Sequence, residues 1–219
     1  PNLPFYRPIT PAGIKRIDQT ARQLLGEVGV RVNREAFLER LGDAGARIDR
    51  SRQMARFSDD LLDRLLVQAP RRFTLYSRDG QFDMAVGTNR SYFGNGGRVF
   101  RILDLETGGF RDTRLRDIVH SATIVNQLRH IDFYIVACQA HDLPQERYNL
   151  NDFFYAFNYT TKHVMGGCNN LQGARDLWDV VQVIAGGPGA FRERPFVTVI
   201  TNPERLGVAP ARAVDDRAL

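Results

Sequence analysis

Cysteine and lysine are scarce in this chain. Only Cys138 and Cys168 occur among 219 residues, and they form no CxxC pair. That excludes a disulfide framework and a zinc ribbon, and it makes reduced, cytosolic thiols the expected state. Lysine occurs only at Lys15 and Lys162, so nearly all of the 30 basic residues are arginines. They are interleaved with 25 acidic residues, so the net charge of +5 marks no basic run of the kind nucleic-acid binders carry. No apolar run approaches the ~18 residues of a membrane-spanning helix. The expectation is a cytoplasmic protein that binds neither nucleic acid nor membrane. The opening PNLPFYRPITP has neither a basic start nor an apolar core, so no signal peptide is expected. It also lacks Met, as a chain that begins inside a longer reading frame would. A dinucleotide fingerprint is missing too: Gly94-Asn95-Gly96-Gly97 lacks GxGxxG spacing and opens no helical pattern.

What is present is a change of periodicity along the chain. Thr10-Pro11 reads as an N-cap followed by Pro at the first helical position. Ile14, Ile17, Ala21, Leu24, Leu25 and Val28 follow at helical spacing, and Gly26 and Gly29 fall near the helix end. A short extended piece, Val30–Val32, precedes a second cap at Asn33. Ser58 caps a third helix whose apolar stripe is Leu61, Leu62, Leu65 and Leu66. From Arg72 the period is two: Phe73–Ser77, Phe82–Val86, Ser91–Phe93 and Phe100–Asp104 read as short strands, with a hairpin at Gly108-Gly109. Residues 1–112 are therefore expected to form an α+β region.

Thr113 then reads as the cap of a long helix, and residues 113–219 become repetitive. Ile131–Cys138, His163–Cys168 and Phe196–Thr201 are buried-looking strands, each separated by a helix-length segment. The Ala185–Gly189 stretch (AGGPG) reads as a helix-to-strand loop. This is the pattern of consecutive βαβ units, either half of a doubly wound sheet or the first part of a (β/α)8 barrel. In both architectures the chemistry sits at the carboxyl ends of the strands. Polar residues stand there: Gln139, His141 and Asp142, then Asn169 and Asn170, then Asn202. Gln139, His141, Asn169 and Asn202 are the candidate substrate-binding residues, and no catalytic residue is assigned. Asn170 has a competing use as a helix N-cap.

Three further arrangements favour structural roles. Cys138 and Cys168 close successive strands, and zinc ligation with His141 is conceivable, but the spacing matches no zinc signature, so metal-free protein is expected. The aromatic run Phe153, Phe154, Tyr155, Phe157, Tyr159 would suit a cation–π cage. The helical spacing of Phe153, Phe154 and Phe157 points instead to packing by an outer helix. The Gly94-Gly97 segment reads as a turn before it reads as a ligand cradle.

Seven segments occur in a recognisable order: LLGEVGVRV (24–32), FTLYSRD (73–79), FGNGG (93–97), LDLETG (103–108), HIDFYIVACQAHDLP (130–144), TTKHVMGG (160–167) and RERPFVTVITNP (192–203). Together the chain resembles the N-terminal half of the trimethylamine methyltransferase family of corrinoid-dependent methyltransferases. The resemblance implies an α/β fold: a partial (β/α)8 TIM barrel preceded by an α+β region, with about three of the eight strands present. It implies methyl transfer from a methylated or quaternary amine to the cobalt of a corrinoid carried by a partner protein, with no cofactor held by this chain. It implies a homo-oligomer at full length and activity that draws on the later half of the barrel. Trimethylamine enzymes of the family carry pyrrolysine in that half, whereas relatives without it act on quaternary amines such as glycine betaine. The residues present assign neither branch. The alternative of another class is an inactive fragment or interaction module, since a half-open barrel exposes sheet edges.

Overall fold

In the computed structural model, which describes residues 8–144, 147–168 and 170–201, the chain divides into two compact units that meet in sequence at Pro70 and Arg71. The first unit begins as expected. The Thr10 hydroxyl accepts from the Gly13 N–H at 3.1 Å and starts α1 (Pro11–Gln23), which widens into a π-turn over Leu24–Val28. Gly29 ends it at φ 83°, and a side chain there would meet the Ala55 carbonyl. Three short antiparallel strands follow in the order β1 (Val30–Arg31), β3 (Met54–Arg56), β2 (Arg47–Asp49). They pack with α2 (Glu35–Asp43) and α3 (Asp59–Gln68) around Val32, Leu38, Ala46, Ala55 and Leu61. The Ser58 cap is present, its hydroxyl accepting from Leu61 N–H.

Two expectations change here. Arg34 occupies the N-cap position of α2 in place of Asn33, because the extended backbone persists one residue further. The stripe on α1 is not a core stripe: Ile14, Ile17, Leu24 and Val28 are each more than half exposed. Of the α3 stripe, only Leu61 is buried.

The second unit contains two antiparallel pairs, β4 (Phe73–Leu75) with β5 (Met84–Val86) and β6 (Arg101–Leu103) with β7 (Phe110–Asp112). Asp104 closes the β6–β7 turn by accepting the Glu106 and Thr107 N–H groups and binding Arg111. Then α4 (Leu115–Gln127) leads into the parallel sheet: β8 (Phe133–Ile135), α5 (Tyr148–Tyr159), β9 (His163–Gly166), α6 (Leu171–Ala185), α7 (Pro188–Glu193) and β10 (Val197–Val199). The strands lie in sequence order, with Phe133 beside His163 and Val197 beside Val164. Tyr134, Val136 and Val164 face Ala122, Val125, Phe153, Phe157, Leu177 and Val181 in the main core. The fold is thus mixed α/β with several small sheets, and no closed barrel forms among the described residues.

Further corrections concern ends and edges. Thr113 does not cap α4. It is buried, with its hydroxyl 2.5 Å from the Gln139 carbonyl, and Arg114 takes the N-cap position. The AGGPG stretch is not one loop, since Gly186 ends α6 in the left-handed region and Pro188 opens α7. Ser91–Phe93 is not a strand either. Instead residues 94–99 run parallel to β8 along its outer edge, bridged at Gly94–Phe133 and Val99–Cys138. Between these bridges the Asn95 carboxamide substitutes for a peptide group: Oδ1 accepts from Ile135 N–H and Nδ2 donates to Ile135 C=O, both at 2.7 Å. A Cβ at Gly94 would lie 2.2 Å from the Phe133 ring.

The amino ends of β8 and β9 are sealed by two cations, a buried Lys162 and a partly buried Arg78. Lys162 Nζ donates to the carbonyls of Val125, Leu128 and Ile131 at 2.5–2.7 Å and lies 4.2 Å from the Phe82 ring centre. Val125 and Leu128 lie in the last turn and C-cap of α4, where a positive charge suits the helix dipole, and their carbonyls also accept the Leu128 and Ile131 N–H groups. Burial lowers the pKa of this ammonium. Arg78 does the same for α5, donating to the Phe157 and Thr160 carbonyls.

Replacing Lys162 with Met is expected to destabilise the protein by on the order of 3 kcal/mol, because three converging carbonyls lose one shared charged donor together. Arg is expected to rescue little, since a planar fork does not match three converging carbonyls. Urea melts of both variants test this. Gly94→Ala is expected to cost roughly 1–3 kcal/mol by overpacking against Phe133. The cost should shrink in a Phe133→Leu background, and an additive double variant would show that the two residues do not conflict.

Candidate functional site

The carboxyl ends of β8 and β9 are where the backbone leaves the sheet, and the predicted residues divide there. Gln139 is half-buried beside the last rung of the edge segment. Its N–H donates to the Val99 carbonyl at 3.2 Å, and its carboxamide has no partner among the described residues. His141 is exposed and attached to Thr113, the residue before the α4 N-cap: its N–H donates to the Thr113 carbonyl, and its Nδ1 lies 3.3 Å from the Thr113 hydroxyl. Asp142 faces elsewhere and accepts from Leu115 N–H at 2.8 Å, capping α4. The two side chains therefore serve separate structural contacts and form no acid–base pair. Asn169 and Asn202 lie outside the described residues. Asn170 is the N-cap of α6, accepting from Gly173 N–H at 2.8 Å.

The other candidates resolve toward structure. His163 is buried between the Tyr76 carbonyl and the Thr198 hydroxyl, each 2.8 Å away, and burial lowers its pKa. A carbonyl only accepts, so Nδ1 carries the proton and Nε2 accepts from Thr198. Phe153 and Phe157 are core residues of α5 and form no ligand cage. Burial pushes the Cys138 thiol up to about 12 and the Cys168 thiol up to about 11. Among the described residues no group of three or more His, Cys, Asp or Glu side chains is placed to hold a metal ion.

One pair at this end was not anticipated. Asp152, on the buried face of α5, is 1% exposed and binds Arg98 of the edge segment. Only one carboxylate oxygen is used, and Oδ1 has no hydrogen-bond partner. Desolvation pushes this carboxyl up to about 6 in spite of Arg98, which pulls the other way. Cys138 and Cys168 both feel the charges of Arg98 and Asp152, so the pair lies close to where β8 and β9 end. The sequence held one signal for it, a carboxylate at the helical spacing of Asn149, Phe153 and Ala156, on the face that packs inward.

The sequence model of the family described as trimethylamine methyltransferase (MTTB) matches residues 1–208. The chain is 23% identical over 202 residues to "Glycine betaine methyltransferase" of Desulfitobacterium hafniense (strain Y51), covering 91% of this chain and 41% of that protein. It is 24% identical over 180 residues to "Trimethylamine methyltransferase MttB" of Desulfitobacterium hafniense (strain DSM 10664 / DCB-2), covering 82% of this chain and 36% of that protein. The chain therefore spans about two fifths of the length of the curated relatives it matches.

Asp152 gives the site a pH signature. The folded protein holds its proton up to about pH 6, whereas an unfolded chain releases it near ~3.9. Stability from this group is thus greatest below the unfolded value, falls as pH rises toward 6, and is flat above. The wild type minus Asp152→Asn difference in unfolding free energy is expected to drop by on the order of 1–3 kcal/mol between pH 4 and pH 7. Urea melts at the two pH values decide it, and a difference that does not change with pH would place the Asp152 pKa near its ordinary value.

Proposed function

The chain belongs to the trimethylamine methyltransferase family, and from that premise we propose that it takes part in moving a methyl group from a methylated or quaternary amine to the cobalt of a corrinoid held by a partner protein. The observation that carries this reading is the parallel sheet β8-β9-β10, with helices joining consecutive strands, inside a family match that covers residues 1–208. These strands are read as one wall of a (β/α)8 barrel, with residues 1–112 as the α+β region before it. The amine would bind at their carboxyl ends, where barrels place their substrates. The partner's corrinoid would approach from the same side.

The chemistry asks little of the protein beyond alignment. The methyl carbon passes from nitrogen to cobalt, and the C–N bonding pair leaves with nitrogen. From a quaternary ammonium the leaving group is a neutral tertiary amine, so no proton has to be delivered. Orienting the methyl toward cobalt and excluding other encounters are the main contributions left to side chains. Gln139 and His141, which follow β8, are candidates for that orienting role, and Asn169 and Asn202, which follow β9 and β10 in sequence, are proposed with them.

The test is a transfer assay with the full reading frame that contains this chain. Mixed with a reduced corrinoid protein and a panel of methylated amines, it is expected to convert the Co(I) absorbance to that of methylated cobalt with at least one amine. An unchanged spectrum across the panel, while a known family member is active under the same conditions, would overturn the reading.

A further inference from the structure

The β6–β7 hairpin lends no side chain to a buried cluster among the described residues. The β2–β3 hairpin, with strands of the same length, turns Ala55 into the core of the first unit. On β6–β7, Leu103 and Phe110 stand directly across the ladder and share one face, and Phe110 is 67% exposed. Leu105, in the turn beyond them, is 91% exposed. These side chains are nonetheless held firmly. Asp104 accepts from the Glu106 and Thr107 N–H groups and from Arg111 Nε. The two terminal nitrogens of Arg111 donate to the two Asp117 oxygens, each at 2.8 Å, which fixes the turn to the start of α4. A two-stranded ribbon needs such bracing to keep its shape. A braced apolar face that covers no core suits a binding patch, because its freedom is already lost before a partner arrives.

The hairpin is rooted past the carboxyl end of β8. Val99, shortly before β6, bridges Cys138, and Thr113, just after β7, bonds the Gln139 carbonyl. The Phe100 ring lies 6.2 Å from the ring of His141. Both legs therefore spring from the rim that would receive the amine. Around the apolar centre of Leu103, Leu105 and Phe110 stand the exposed charges of Arg101, Glu106, Asp112 and Arg116. An apolar centre with a polar rim is the anatomy of a protein–protein contact. A projecting hairpin does not enclose a small molecule, which binds in a concave site. A border of mixed sign does not suit nucleic acid. A second copy of the chain seated here would stand over the strand ends, where the cobalt has to arrive. The protein that must reach this rim is the one that carries the corrinoid.

We propose that the outward face of the β6–β7 hairpin, formed by Leu103, Leu105 and Phe110, is the docking surface for the corrinoid-carrying partner protein. The inference rests on the transferase reading above. Asp104, Arg111 and Asp117 make no contact with the partner and act by holding the hairpin in position.

The probe is the corrinoid protein that accepts methyl groups from the full-length protein in the transfer assay. Leu105→Ser and Phe110→Ser replace exposed side chains, so folding is expected to survive both. Each is expected to raise the Kd for that corrinoid protein in biolayer interferometry by roughly tenfold or more, as the loss of a central anchor does. The KM for the corrinoid protein should rise with it while kcat is held. Val183→Ser, which removes an exposed apolar side chain from α6 instead, is expected to change neither. Turnover with an unchanged Kd in both hairpin variants would overturn this proposal and leave the transferase reading intact. A Kd that rises only together with a lowered melting temperature would overturn it too, by placing the hairpin under a later part of the chain. A changed particle mass in light scattering would do the same by making it a contact between copies. If no corrinoid protein is methylated, the transferase reading falls and this one falls with it.

Discussion

The converging hydrogen bonds from Lys162 to three carbonyls are the constraint on which the parallel sheet depends. A helix that ends against a sheet leaves acceptors that water cannot reach, and each would be costly without a donor. A single ammonium satisfies the end of α4 and the residue that enters β8, and it does so from the start of β9. It therefore sets the spacing of two strands and their intervening helix at one point. Arg78 repeats the solution at the end of α5, and the Asn126 carboxamide joins the two by accepting from Thr160 and Thr161. With the amino ends sealed in this way, the carboxyl ends need carry none of the same load.

That division of labour explains which parts of the chain were legible beforehand. FTLYSRD and TTKHVMGG, two of the segments that made the family recognisable, supply Arg78, Lys162 and His163, all at the structural end. FGNGG is legible for another reason, since Gly94 must let Phe133 approach its backbone and Asn95 must imitate a peptide group. LDLETG is a turn locked by Asp104, which Arg111 holds down to about 2. The Thr10, Ser58 and Asn170 caps were readable because capping is local chemistry. Asn33 and Thr113 were misread for the complementary reason. The α4 cap is supplied partly by Asp142, 27 positions from Leu115 in sequence, and no local pattern announces such a partner. The β2–β3 hairpin of the first unit escaped notice because its strands are three residues long and rich in charge.

The candidate site was only half visible. Periodicity located the strand ends, and Gln139 lies past the end of β8 as that pattern implies. It gave no means of joining Arg98 to Asp152, which lie 54 positions apart and on elements of different type. A residue that directly follows a strand shows in the periodicity, whereas Arg98 arrives along the sheet edge and Asp152 from the helix behind it.

The edge segment also gives the sheet a direction. On the far side of β8 the hydrogen-bonding groups are already occupied, partly by a side chain that no longer strand could imitate without displacing it. On the far side of β10 no described strand is paired. Among the described residues the sheet is therefore asymmetric, its β8 edge occupied by residues 94–99 and its β10 edge open. Were the sheet to close into a ring, it would carry a seam at Gly94–Val99. The last strand would either expel that segment or leave the circle of backbone bonds permanently interrupted beside Arg98.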